Sequence, residues 1–137
     1  MKKLILISLV FLSFTVGGNH THKDWEIVEE GAWGSFWWKV ERLDNPQGNG
    51  DYYYYVYFQS NSYLNEKDAY GQYVKAISYI EGITITLWQG EIPTSVHLKY
   101  VLADWNKTQV AYFISGTPDA YFGMRYHSVT PYGASTY

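Results

Sequence analysis

The side chains able to do chemistry in this chain are mostly aromatic: 6 Trp, 15 Tyr and 6 Phe in 137 residues, beside 4 His and no Cys. The densest run is Asp51-Tyr52-Tyr53-Tyr54-Tyr55-Val56-Tyr57-Phe58. On a strand, successive side chains alternate between faces. Tyr52, Tyr54, Val56 and Phe58 then share one face, and Val56 and Phe58 make it the core side. Tyr53, Tyr55 and Tyr57 point outward, spaced by twice the strand rise, about 7 Å. If the segment 33–42 is the hairpin partner across the Asp44–Asp51 loop, Trp33 and Trp37 join this outer face. Trp88 lies on the Thr face of its own segment and is a further candidate. Contiguous exposed aromatics mark contact sites. Their flat rings stack on the C–H faces of sugars, with Lys39, Gln59 and Asn61 at hand for hydroxyls. The same rings suit a protein partner or a second copy of the chain. The competing reading is structural: Tyr favours strands, and cross-strand aromatic pairs stabilise sheets without binding anything.

Other constellations are sparser. Asp44, Asn45, Asn49 and Asp51 offer oxygen ligands on a Gly-bearing loop, as calcium requires. They lack the spacing of an EF-hand, and the same residues form ordinary turns. His20 and His22 could hold copper or nickel near a newly formed N-terminus. His97 and His127 fall on strand segments and read as structural. No catalytic residue is assigned. Gly31-Ala32-Trp33-Gly34-Ser35 does not complete a nucleophile elbow, and no H-E-x-x-H occurs. Glu41, Glu81, Glu91 and Asp104 are the carboxylates from which a glycosidase pair would be drawn. The sequence implies no cofactor.

These residues sit in short segments rich in Val, Ile, Thr and aromatics, broken by Gly, Asn, Asp and Pro, which is the pattern of strands and turns. Strands are expected near 25–30, 33–42, 52–60, 73–80, 83–89, 95–103, 109–115 and 121–129. Asn65 to Tyr70 has room for one helical turn, but no segment carries a sustained apolar stripe of 3.6-residue period. Alternation assigns inward faces: Phe36, Trp38 and Val40; Ile83, Ile85 and Leu87; Val96, Leu98, Tyr100 and Leu102; Val110, Tyr112 and Ile114. Strands with one apolar face pack as antiparallel sheets. Seven or eight of them predict an all-β two-sheet sandwich, immunoglobulin-like or jelly-roll, with a closed barrel as the alternative. The expected core is Phe36, Trp38, Val40, Val56, Phe58, Ile83, Ile85, Leu87, Val96, Leu98, Val110 and Ile114.

The start of the chain gives the compartment. Lys2 and Lys3 precede an apolar run from Leu4 to Val16, too short for the roughly 20 residues a spanning helix needs, and Gly17-Gly18 offers a small-residue cleavage site. This is the pattern of a secretory signal peptide. The expected organisation is a signal peptide at 1–18, a polar arm at 19–24 and one β-sandwich domain at 25–137. Cleavage leaves 119 of 137 residues and moves the net charge from −3 to −5. An acidic chain does not favour nucleic acid. With no Cys for lipid attachment and no second long apolar stretch, secretion or release to a bacterial periplasm is expected, without membrane insertion after cleavage. The overall look is similar to carbohydrate-binding modules and other small exported sandwiches, with no motif specific to one family. The expected function is a non-enzymatic binding module for a glycan or surface polymer. The alternatives are a self-associating or adhesive extracellular subunit that contacts cell-surface protein, and a small hydrolase.

Overall fold

The computed structural model describes residues 25–44, 48 and 50–137. Nine strands follow one another: β1 (Trp25–Trp33), β2 (Phe36–Asp44), β3 (Tyr52–Ser60), β4 (Tyr63–Lys67), β5 (Tyr73–Gln89), β6 (Ile92–Ala103), β7 (Thr108–Ser115), β8 (Tyr121–Arg125) and β9 (Ser128–Ala134). No helix occurs among the described residues. One antiparallel sheet has the order β1-β2-β3-β7. The other contains five strands, with β4, β6, β8 and β9 all paired to the long β5. The two sheets form a sandwich rather than a closed barrel.

The core lies between the sheets. Phe36, Val40, Tyr54, Val56 and Phe58 from the first sheet, and Ile80, Ile83, Ile85 and Leu87 from the second, are at most 2% exposed. Rings close the seam: Phe122 packs 5.4 Å from Tyr54 and 5.6 Å from Phe113, and Tyr126 packs 5.3 Å from Phe36 and 5.5 Å from Trp33. Trp38 packs partly buried against this core, as do Val96, Leu98 and Val110. Its indole lies over Gly31, where a β-carbon would come within 2.7 Å of the ring. A polar seam ties the sheets together at one end. The Ser60 hydroxyl on β3 donates to the Ala76 carbonyl (2.7 Å). Ser78 on β5 donates to the Ser35 carbonyl (2.9 Å), and Ser62 bridges both hydroxyls.

Three departures from strict alternation correct the expected faces. Ile114 is 46% exposed and Tyr112 44%, while Ala111, Phe113 and Ser115 point inward. The cause is an irregularity in the β3–β7 ladder, where Val56 faces Ala111 and Tyr57 faces Gln109, leaving Val110 as an extra residue. One extra residue reverses every face beyond it. Secondly, Gly82 does not end a strand. β5 runs through it at φ 65°, and the inward set changes from Ala76, Ser78 and Ile80 to Ile83, Ile85 and Leu87. The partner strand switches at the same level, so Val96 and Leu98 pack inward whereas Tyr100 and Leu102 are exposed. The expected strand at 121–129 is interrupted there too, between β8 and β9, where the His127 amide donates to the Glu81 carbonyl. Thirdly, Tyr63–Lys67 pairs with β5 as a strand, so the helical turn allowed at Asn65 to Tyr70 does not form.

Candidate functional site

The β2–β3 hairpin fixes a grid on the outer surface of the four-stranded sheet. Trp37 lies opposite Gln59, Lys39 opposite Tyr57, Glu41 opposite Tyr55 and Leu43 opposite Tyr53. β1 adds Ala32 beside Trp37 and Glu30 beside Lys39. β7 adds Tyr112 beside Tyr55 and Ile114 beside Tyr53. Successive rows are about 7 Å apart along the strands.

The grid has two halves. At one end Trp25, Tyr53, Tyr55 and Tyr112 pack on one another: Trp25 meets Tyr55 edge-on at 4.9 Å, and Tyr112 lies 5.1 Å from Tyr55 and 5.9 Å from Tyr53. Ile27 and Ile114 complete this apolar end, each more than 40% exposed. At the other end Trp37, Tyr57, Lys39, Gln59, Lys107 and Glu30 surround an open depression of about 480 Å³. The Lys107 ammonium sits 4.4 Å above the Tyr57 ring and pairs with the Glu41 carboxylate at 2.7 Å.

Trp105, in the β6–β7 turn, contacts two residues of this lining, Trp37 and Gln59. Its ring lies 6.2 Å from Trp37 and 5.2 Å from Tyr63. Hydrogen bonds hold it on three sides. Its Nε1–H donates to the Ser62 carbonyl, its carbonyl accepts from Gln59 Nε2, and its amide donates to Asp104. The serine seam therefore anchors the site, because Ser62 belongs to both.

Burial pushes the phenol of Tyr57 above its ordinary value of 10.0, with the Glu41 carboxylate adding to it. Loss of water raises Tyr55 and Tyr112 as well, and neighbouring phenols add to both shifts. All three are neutral hydrogen-bonding hydroxyls at physiological pH.

Of the six aromatics singled out from the sequence, the structure brings Trp37, Tyr53, Tyr55 and Tyr57 onto this face. Trp33 points inward, against Phe36, Trp38 and Tyr126. Trp88 belongs to the five-stranded sheet, stacked at 6.2 Å on Tyr121. Lys39 and Gln59 line the depression, whereas Asn61 does not; its backbone N–H donates to the Ser35 carbonyl. Sequence reasoning missed Trp25, Tyr112, Trp105 and Lys107. Trp105 had one signal, a large ring in a turn where no strand preference explains it.

The other candidates scatter. His20, His22, Asn45 and Asn49 lie outside the described residues. Asp44 pairs with Tyr52 in the hairpin ladder. No group of three His, Asp or Glu able to hold a metal occurs among the described residues. His97 contacts Thr84, and His127 packs beside Gly82. Among the carboxylates, Glu41 pairs with Lys107, Glu81 accepts from Ser128, and Asp104 accepts from Ser135 and Trp105. No protein-family model, curated protein or solved structure matches the chain.

Proposed function

We propose that this is an exported, non-enzymatic binding module that holds a glycan on the outer face of its four-stranded sheet. The observation that carries this reading is the depression beside Trp37, which combines aromatic ring faces with Lys39, Gln59 and Lys107. Its volume, about 480 Å³, falls within the range of small-ligand sites. Sugars need both features, a flat apolar face for their C–H surface and donors for their hydroxyls. Export rests on the Leu4–Val16 run, and no helix among the described residues is long and apolar enough to cross a membrane.

The test is affinity electrophoresis of the wild type and Trp37→Ala through gels containing neutral or acidic polysaccharides. Trp37 is 42% exposed, so its removal should leave folding nearly unchanged. Loss of a stacked ring should cost about 1 kcal/mol of binding. Equal retardation of both proteins, or none of either, counts against the site.

A second reading is favoured by Ile27 and Ile114, which are 43% and 46% exposed at the apolar end. Aliphatic side chains suit protein surfaces better than sugars, and Ile114 lies on the edge strand β7, so this end suits self-association. Sedimentation across a concentration series separates the readings. Oligomers that Ile114→Lys dissolves favour the second, and a monomer at every concentration excludes it.

A further inference from the structure

We propose that the glycan is uncharged, and that Glu30 and Lys39 beside Trp37 select it. The inference rests on the glycan reading above and adds the charge class of the ligand and the residues that set it. In the outward row next to Trp37, Glu30, Lys39 and Tyr57 stand side by side on β1, β2 and β3. All three line the depression. The fixed charges there balance. Glu30 stands opposite Lys39, and Lys107 is held by the Glu41 carboxylate at 2.7 Å. The same holds at Trp105, where Lys75 lies 4.9 Å from the ring and the Asp104 carboxylate accepts from the Trp105 amide. Positive charge among these described residues therefore does not exceed negative, and the whole chain carries −3. Such a chain repels an acidic polymer at long range and offers it no net attraction on arrival.

An uncharged sugar makes use of the same groups. Each of its hydroxyls both donates and accepts. An ionised carboxylate only accepts, and an ammonium only donates. Glu30 and Lys39 sit on neighbouring strands, about 4.8 Å apart, and so suit adjacent hydroxyls of one sugar ring. One hydroxyl donates to Glu30, and the next accepts from Lys39. Gln59 carries both kinds of group and serves a third. Lys107 already occupies a face of the Tyr57 ring at 4.4 Å. Trp37 is 42% exposed, and its neighbour on β1 is the short Ala32, so Trp37 is the ring that receives the C–H face. For an acidic sugar Glu30 has the wrong sign. A carboxylate or sulfate carried by a sugar stacked on Trp37 is brought towards it, and juxtaposed like charges reject a partner. Glu30 is therefore the specificity-determining residue, an acceptor for hydroxyls and a barrier to anions.

The experiment measures binding of the full chain to matched pairs of polymers: fully methyl-esterified polygalacturonate and its free acid, dextran and dextran sulfate, hydroxyethyl cellulose and carboxymethyl cellulose. The uncharged member of at least one pair should bind at least about fivefold more tightly than its acidic match. That affinity should hold as salt rises, because no charge pair across the contact is screened. Glu30→Gln should lower it about three- to tenfold, the loss of a charge-assisted hydrogen bond. The same change should narrow the lead over the acidic match, because the repelling charge is gone. Glu30 is exposed, so the unfolding midpoint should stay at the wild-type value. Should it fall, Lys39→Met carries the test, with a loss of about threefold or more on the uncharged polymer. Equal or tighter binding of the acidic members leaves the glycan reading standing and overturns this inference. Uncharged-polymer binding that Glu30→Gln strengthens or leaves unchanged, in a variant with the wild-type midpoint, overturns it too. Binding of none of the polymers overturns both the inference and the reading beneath it.

Discussion

Single residues set the faces of this sheet. Tyr54 is fully buried and its hydroxyl donates to the Thr117 carbonyl at 3.2 Å. Its neighbours Tyr53, Tyr55 and Tyr57 are partly exposed on the opposite side. Tyr54→Ala should cost about 3–5 kcal/mol, as for other large buried rings. Tyr57→Ala should cost less, because it opens no core cavity. Denaturant unfolding of both variants checks the order, and equal losses would mean that the outer face is as structural as the core. Gly31 makes a second point at this scale. A methyl group there meets the Trp38 indole at 2.7–2.8 Å, and the indole is pinned by Trp33 at 5.9 Å. Gly31→Ala should therefore destabilise by about 1–3 kcal/mol. An unchanged unfolding midpoint would show that the ring can move aside.

At the scale of elements, much of the sandwich was legible before the structure. The β2–β3 hairpin has strictly alternating faces, so the outward set Tyr53, Tyr55 and Tyr57 follows from period two alone, whereas the register that sets Trp37 opposite Gln59 does not. Alternation failed where the backbone inserts or rotates a residue. Val110 is such an insertion, and nothing in Gln109-Val110-Ala111-Tyr112 marks it. Ala111 reads as less apolar than Val110, yet it is Ala111 that lies opposite Val56. Gly82 was visible as a breaker, but a glycine can end a strand or let it change face, and only the pairing partners decide which. Trp105 was hidden for a different reason: its position over Lys75 and Tyr63 comes from contacts between distant segments. The Gly82 account predicts that Gly82→Ala is costly. It imposes φ 65° on a side-chain-bearing residue and brings its methyl within 2.8 Å of the His127 β-carbon. The left-handed conformation alone costs about 1–2 kcal/mol. A drop in melting temperature checks this, and retention of wild-type stability would count against a fixed face change.

At the scale of the molecule, the fold exposes rings on both outer surfaces. Tyr79, Tyr100 and Tyr132 stack at 5.4 and 5.8 Å on the five-stranded sheet, while Trp37 and Tyr112 are exposed on the four-stranded one. Loss of water, with nearby charges and phenols, raises Tyr55, Tyr57, Tyr79 and Tyr112 above 10.0. In the unfolded chain these phenols ionise near 10, whereas the folded chain still holds their protons. Stability from this source is therefore level below pH 10 and falls as pH rises through the raised values. Tyrosinate absorbance should show a late-titrating class, and the denaturant midpoint should decline over the same range. A single common titration of all tyrosines would contradict this. The glycan-binding claim itself is tested most directly by mapping backbone amide shifts as short, fully methyl-esterified polygalacturonate fragments are added. The account predicts shifts centred on Glu30–Ala32, Trp37–Lys39, Tyr57–Gln59 and Lys107. Shifts centred instead on Tyr79, Tyr100 and Tyr132, or none on either sheet, would contradict it.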